Sequence, residues 1–214
     1  SDVILDIYNT DFDVETKTDS SPLTLADMAA HEIIVKGLRE LTPDIPIISE
    51  ESVLPEFSER SKWPTYWLVD PLDGTKEFVN RNGEFTVNIA LIKGNAPHVG
   101  VVCVPVQDRT FVGNTSTMEA KVYSAAGERH AKSRRFSEKP NEIKVVASRS
   151  HVSDELRAYL ASLDEIFSGL ETISMGSSLK LCALADAEAD LYPRLGPTSE
   201  WDIAAAHAVL VASG

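Results

Sequence analysis

The first apolar positions, Val3, Ile4, Ile7 and Tyr8, fall at helical spacing and predict the tail of an N-terminal helix. The polar run from Asp11 to Pro22 predicts a loop. From Thr24, a fair N-cap, the apolar positions Ala30, Ile33, Ile34, Gly37, Leu38 and Leu41 recur at i, i+3, i+4, i+7 over about five turns, and Pro43 stops the helix. Shorter β-branched runs follow. Residues 45–49 predict a strand that runs into Glu50 and Glu51, and residues 66–69 predict another that runs into Asp70. Residues 85–92 and 99–104 read as strands joined at Gly94-Asn95-Ala96-Pro97, most simply a hairpin, and residues 109–113 add a third.

Residues 114–141 are polar and poorly periodic, which predicts a linker. Beyond it strand and helix alternate. Residues 143–147 form a strand, Leu156, Tyr159, Leu160 and Leu163 mark a helix capped by Ser153, and residues 172–175 form a second strand. A helix follows Gly176, residues 189–192 form a third strand, and a last helix starts near Trp201. The expected fold class is α+β followed by α/β. Residues 1–135 are the α+β part and residues 136–214 a smaller α/β part, together expected to form one compact unit. The chain starts at Ser1 without Met and stops at Val211-Ala212-Ser213-Gly214 inside a helical pattern, so both ends read as cut.

Composition narrows the class. The chain has 214 residues, 43% hydrophobic and 25% charged, ordinary for a globular protein with its own core. Lys+Arg total 20 against 33 Asp+Glu, a net charge of −13, which disfavours nucleic-acid polymers and anionic membranes as partners. Cys103 and Cys182 sit in apolar runs without CxxC spacing, so they read as buried thiols of a reducing compartment, the cytoplasm. No run reaches the ~18–20 apolar residues of a membrane span, and no secretory leader is visible. No pattern sets an oligomeric state.

The chemistry gathers where two strands run into acids. In Asp70-Pro71-Leu72-Asp73-Gly74-Thr75, Pro71 stiffens a turn and Gly74 permits a conformation other residues resist. The spacing lets Asp70, Asp73 and the Leu72 carbonyl converge on one point. Converging hard oxygens suit Mg²⁺, and the absence of neighbouring His or Cys argues against zinc. Taken alone, this is a tight turn with solvated acids. Asp27 lies in the first turn of its helix on the face of Ala30 and Ile34, and Asp202 opens the last helix; each is also an ordinary partner for a helix N-terminus. Gly176-Ser177-Ser178 opening a helix, with Lys180 behind it, is a modest anion site or a Ser cap beside a solvated Lys.

In order, Glu50-Glu51-Ser52, Asp70-Pro71-Leu72-Asp73-Gly74-Thr75 and Trp201-Asp202-Ile203-Ala204-Ala205 resemble the signature motifs of the inositol monophosphatase superfamily of Mg²⁺-dependent, lithium-sensitive phosphatases. Lys76-Glu77-Phe78, Asn82 to Asn88, Ser148-Arg149-Ser150-His151, Gly176 to Lys180 and Leu191-Tyr192-Pro193-Arg194 are similar to its bacterial 3′(2′),5′-bisphosphate nucleotidases. The likeness covers nearly the whole chain. It departs at residues 114–135 and at the C-terminus, where the family continues for some tens of residues.

The resemblance implies a layered αβαβα fold that binds two or three Mg²⁺ ions through Glu50, Asp70, Asp73, Asp202 and the Leu72 carbonyl. Asp27 and Thr75 would form the dyad that orients and deprotonates the attacking water. Glu50, Leu72, Asp73, Gly74, Thr75, His151, Ser177, Lys180, Arg194 and Asp202 would contact the substrate, a small nucleotide bisphosphate. The implied reaction is hydrolysis of the 3′-phosphate of adenosine 3′,5′-bisphosphate, with the 5′-phosphosulfate analogue as a second substrate, in sulfur assimilation. The alternatives are an inositol or fructose bisphosphate phosphatase on the same metal site, or a catalytically silent phosphate-binding regulator. Residues 148–194 favour the nucleotide. Loose attachment to the cytoplasmic face of the inner membrane, known in the subgroup, is a further expectation.

Overall fold

The structure, a computed structural model, describes residues 1–10, 22–132, 141–148 and 153–214. Most of the predicted loop at 11–22 therefore lies outside the described residues. Seven strands form one sheet in chain order: β1 (Ile47–Ser49), β2 (Thr65–Asp73), β3 (Thr86–Lys93), β4 (Ala96–Val104), β5 (Arg109–Asn114), β6 (Glu119–Ser124) and β7 (Gly127–His130). Only β1 and β2 run parallel; every later pair is antiparallel.

The expected linker thus contains two strands of this sheet, and its residues 133–140 lie outside the described residues. Strand β6 alternates, but over only two apolar positions, Ala120 and Val122, and β7 is exposed throughout and carries no alternation at all. An edge strand with solvent on both sides needs none, and the charges of Glu128 and Arg129 suit an edge.

Two cores flank the sheet. On one face, Ile4 and Tyr8 of α1 (Asp2–Tyr8) and Ala26 and Ala30 of α2 (Pro22–Leu41) pack with Leu72, Phe78, Phe85 and Val87. Helix α2 starts before Thr24, so Thr24 is not its cap. Of the expected stripe, Ala30 and Leu38 are buried and Ile34 packs against the core, while Ile33 is 60% exposed and Leu41 also faces out; Ala26 and Val35 complete the buried face. The short helix α3 (Phe57–Arg60) buries no residue.

The other face is covered by α6 (Leu179–Ala185) and α7 (Glu200–Ser213). Helix α7 lies almost on the backbone of the sheet. A Cβ on Gly100 would stand 2.0 Å from the Ala205 carbonyl oxygen, and one on Gly113 would stand 2.4 Å from Val209 Cα. The Ala-rich sequence of α7 and these two glycines fit each other, and the contact fixes where Asp202 stands. Beside this layer, β8 (Glu142–Ser148) and β9 (Gly169–Met175) pair in parallel, linked through α5 (Asp154–Asp164), with Ser153 Oγ accepting from Leu156 N–H at 3.2 Å. The strand expected at 189–192 is a single bridge from Leu191 to Val145; Pro193 has no N–H to extend the ladder. Cys103 and Cys182 are free thiols. Among the described residues no helix is long and apolar enough to cross a membrane.

Candidate active site

Residues three apart on a regular strand point to opposite faces. A bulge frees Asp70 and Asp73 from that rule. Asp70 pairs with Asn88 and Asp73 with Thr86, so three steps along β2 match two along β3. Asn88 and Thr86 share a face, so both aspartates stand on it too. The expected tight turn is therefore a correction: the chain stays extended to Asp73, with Pro71 inside the bulge and Leu72 N–H donating to Asp70 Oδ1 at 3.1 Å. Gly74 then turns left-handed (φ 98°) and opens α4 (Thr75–Val79), on whose first residue Thr75 sits exposed. A Cβ on Gly74 would meet Phe85 Cα and Ser177 Cβ, each at 3.2 Å.

Glu50 reaches the same end of the sheet because Glu50 N–H donates to the Val69 carbonyl at 3.1 Å, beside Asp70. His31 on α2 pins the preceding residue, its Nδ1 lying 2.9 Å from Ser49 Oγ. Asp27 falls in the second turn of α2, so its expected place at the helix N-terminus is corrected. Its carboxyl faces Glu51 and Glu50, and its Oδ1 is buried without a hydrogen-bond partner. Among the described residues no hydrogen bond joins Asp27 to Thr75. From the opposite side α7 brings Asp202, whose Oδ2 accepts from Ser199 N–H at 2.9 Å and from the Thr198 hydroxyl at 2.8 Å. The capping role and the place among the acids coexist in one side chain.

Asp73 and Asp202 open onto a cleft of about 270 Å³ whose walls include Thr75, Ser177, Lys180, Tyr192 and Arg194. Ser177 is left-handed (φ 46°), and Ser178 N–H, at the start of α6, donates to Asp73 Oδ2 at 2.6 Å. The expected anion at this helix end is therefore the protein's own carboxylate. Lys180 is only 6% exposed, with Nζ donating to the Ser177 carbonyl at 2.5 Å and lying 5.6 Å from the centre of the Tyr192 ring. It is no solvated lysine. Arg194 is exposed and donates to the Pro197 carbonyl at 2.7 Å. His151 lies outside the described residues.

Burial, then mutual repulsion, lifts the carboxyls of this site. Asp70, 1% exposed, is held well above the usual carboxylate range by burial and by the charges of Asp73, Glu50, Asp202 and Asp27. Burial and Asp202 push Asp73 up to about 7, although Lys180 and Ser178 N–H pull the other way. Burial, with Asp202 and Glu51, raises Glu50. Burial, with Glu51 and Glu50, pushes Asp27 up to about 8. Such a set of crowded, hard oxygen donors fits a hard divalent cation. Among the described residues no three of them close into a finished ligand cage, so the fit rests on donor chemistry and on this repulsion.

The profile of the Inositol monophosphatase family matches residues 1–214. The chain belongs to the inositol monophosphatase family. Among its relatives in this family, the 3′(2′),5′-bisphosphate nucleotidase CysQ of Escherichia coli O6:H1 is 50% identical over 216 residues, covering 100% of this chain and 83% of that protein. The CysQ of Buchnera aphidicola is 42% identical and covers 99% of this chain and 77% of its own. The crystal structure of CysQ from Bacteroides thetaiotaomicron superposes with a TM-score of 0.90 at 41% identity, covering 100% of this chain and 82% of that one. Mycobacterium tuberculosis SuhB, at 22% identity and a TM-score of 0.71 over 90% of this chain and 74% of its own, shares the fold.

Sequence reasoning within the family passed over Glu51, Tyr192 and Asn88. Glu51 is the second residue past the end of β1, and its contact with Asp27 appears only once α2 is laid beside β1. Tyr192 sits next to Pro193-Arg194 in the quoted motif, and its ring backs Lys180. Asn88 had one signal: a polar residue in the otherwise apolar run of β3.

Proposed function

We infer that the chain is a Mg²⁺-dependent 3′(2′),5′-bisphosphate nucleotidase that hydrolyses adenosine 3′,5′-bisphosphate to AMP and phosphate. The full-length likeness to CysQ enzymes supports the activity. The observation that carries the chemistry is the bulge that turns Asp70 and Asp73 to one face beside Glu50 and Asp202, with Asp73 and Asp202 lining a cleft that Lys180 and Arg194 line as well. Glu50, Asp70, Asp73, Asp202 and the Leu72 carbonyl would hold two or three Mg²⁺ ions. When bound, the ions supply charge neutralisation on the phosphate oxygens and a more acidic water.

The remaining steps belong to this chain's residues. Thr75, exposed on the cleft wall, orients the attacking water, and Asp27 receives its proton. The open Asp27 Oδ1 and its raised affinity for a proton, set by burial and Glu51, suit a base. Water oxygen bonds to phosphorus, the bond from phosphorus to the ribose 3′ oxygen breaks, and that oxygen takes a proton from a solvent water. Gly74 and Thr75 N–H groups steady the scissile phosphate; Lys180, Ser177, Arg194 and His151 take the other end of the nucleotide. Two free thiols support a cytoplasmic setting, and attachment at a membrane face has no supporting feature among the described residues.

Phosphate release with Mg²⁺ from adenosine 3′,5′-bisphosphate, inositol 1-phosphate and fructose 1,6-bisphosphate tests this reading. The nucleotide should give the highest kcat/KM. Lys180→Ala should raise its KM roughly 10- to 100-fold, as for a charge-assisted contact of ~1.5–3 kcal/mol, with little effect on inositol 1-phosphate. Equal effects on both substrates would return the chain to a generic sugar phosphatase.

A further inference from the structure

Between α4 and β3 the chain carries a carboxylate, Glu84, that the mechanism above does not use. Its backbone is fixed on both sides. Glu84 N–H donates to Asn82 Oδ1 at 3.0 Å, Gly83 turns left-handed (φ 75°), and the next residue, Phe85, is fully buried in the core. The side chain then crosses to the second part of the chain, where Oε2 accepts from Gly176 N–H at 2.8 Å. A carboxylate acceptor makes this a charge-assisted bond, stronger than one between neutral groups. Among the described residues that line the cleft Glu84 is absent, so it acts from behind the wall.

The bond falls on the turn that shapes that wall. Gly176 opens the turn, and two residues on, Ser178 N–H donates to Asp73 Oδ2 at 2.6 Å. Two carboxylates therefore hold the amides on either side of Ser177. Ser177 itself is left-handed (φ 46°), a conformation that a non-glycine residue keeps only where its surroundings over-determine it. Packing adds to the hold: a Cβ on Gly176 would stand 2.3 Å from Glu77 Cγ, so the turn lies directly against α4. In this pose the Ser177 carbonyl accepts from Lys180 Nζ at 2.5 Å. A backbone carbonyl thus sets the direction of the buried ammonium, and the two carboxylates set the carbonyl.

We propose that Glu84 is a positioning residue for substrate specificity: by holding Gly176 N–H it keeps Ser177 left-handed and Lys180 directed at the phosphate that is not cleaved. Without that bond the Gly176 side of the turn relaxes toward ordinary negative φ, while Ser178 stays tied to Asp73. The Ser177 carbonyl swings away and the ammonium loses its fixed pose. A cation ordered in advance binds its anion better than one that must be ordered on binding. The contact exists in ground and transition states alike, so its loss falls on KM and spares kcat. This inference rests on Lys180 meeting the second phosphate, as proposed above.

The test measures kcat and KM for adenosine 3′,5′-bisphosphate and for adenosine 3′-phosphate, which lacks the second phosphate, at saturating Mg²⁺ and fixed ionic strength, with thermal melts beside them. Glu84→Met keeps the side chain's length and removes the acceptor. Glu84→Gln restores an acceptor oxygen without the charge, and Glu84→Asp keeps the charge but falls a methylene short of Gly176. Glu84→Met should raise KM for the bisphosphate about 5- to 10-fold, less than Lys180→Ala, with kcat and both constants for adenosine 3′-phosphate within about 2-fold of wild type. Glu84→Gln should recover most of the loss, and Glu84→Asp should resemble Glu84→Met. If Glu84→Met fails to fold, the contrast between Glu84→Gln and Glu84→Asp decides alone. Equal losses on both substrates, an unmoved bisphosphate KM in the folded Glu84→Met and Glu84→Asp variants, or a Glu84→Gln no better than Glu84→Asp overturns the inference while Lys180→Ala still separates the two substrates. If Lys180→Ala does not separate them, the proposed role of Lys180 falls and takes this inference with it.

Discussion

Asp70 and Asp186 are buried to nearly the same depth, 1% and 4% exposed, and the protein treats them in opposite ways. Asp186, at the end of α6, receives Arg129 through two bonds of 2.6 and 2.5 Å, Arg109 at 2.9 Å and Lys132 N–H at 3.3 Å. Burial alone would raise its pKa, but the bonds and charges of Arg129 and Arg109 outweigh burial and hold it below the usual range. Asp70 has one backbone donor, Leu72 N–H, and a surround of carboxylates that lift it. A buried acid that serves the fold is compensated by the fold. One left uncompensated among its own kind marks where a ligand's charge is needed.

Neutralising one member of each group breaks the comparison most sharply. Asp73→Asn should lower kcat at least ~10²-fold, about 2.7 kcal/mol of transition-state stabilisation, without lowering the Tm measured in chelator at pH 8. Asp186→Asn should do the reverse. It leaves Arg129 and Arg109 short of a counter-charge and should lose about 2–3 kcal/mol in urea unfolding, with kcat per folded molecule close to wild type. Should Asp73→Asn destabilise as much as Asp186→Asn, both acids would be structural and the contrast would vanish.

Within the uncompensated group, Asp27→Asn and Thr75→Ala should each lower kcat by about 10- to 100-fold. The double variant should fall little further than the worse single if the two handle one proton. Losses that multiply would separate them and leave Asp27 as a partner of Glu51 alone.

Much of this arrangement is legible in the sequence, and its gaps have physical causes. The acids at the ends of β1 and β2 stand out because short β-branched runs lead straight into them. The bulge is hidden, because Asp-Pro-Leu-Asp-Gly carries the residues of a turn and only pairing with Asn88 and Thr86 reveals an extended chain with one extra residue. Lys180 reads as solvated because sequence does not show Tyr192 folding over it. The clasp of Asp186 is invisible for a similar reason: Arg109 and Arg129 come from β5 and β7, and β7 has no apolar pattern to announce it.

The smallest expected effect sharpens the comparison through pH. An acid whose folded pKa stands above its unfolded value binds its proton better in the native state, so stability falls as pH rises from near 4 toward the folded value. For Asp27 and Asp73 those folded values are about 8 and about 7, so metal-free protein should lose Tm steadily between pH 5 and pH 8. Each such proton sets a ceiling of about 1.4 kcal/mol per pH unit, a few degrees of Tm per acid for a chain of this size. Asp186 has the opposite sign. Its lowered pKa gives stability that is complete above about 4 and is lost only at more acid pH, so it is silent in this window. Melts in chelator from pH 5 to 8 should therefore show a shallower slope for Asp73→Asn and, for Asp186→Asn, an unchanged slope at lower Tm. Excess Mg²⁺ should flatten the wild-type slope, since a cation that binds the ionised acids stabilises the fold where they are most crowded. A flat wild-type profile in chelator would mean that the acids of the cleft are already balanced within the chain, as Asp186 is.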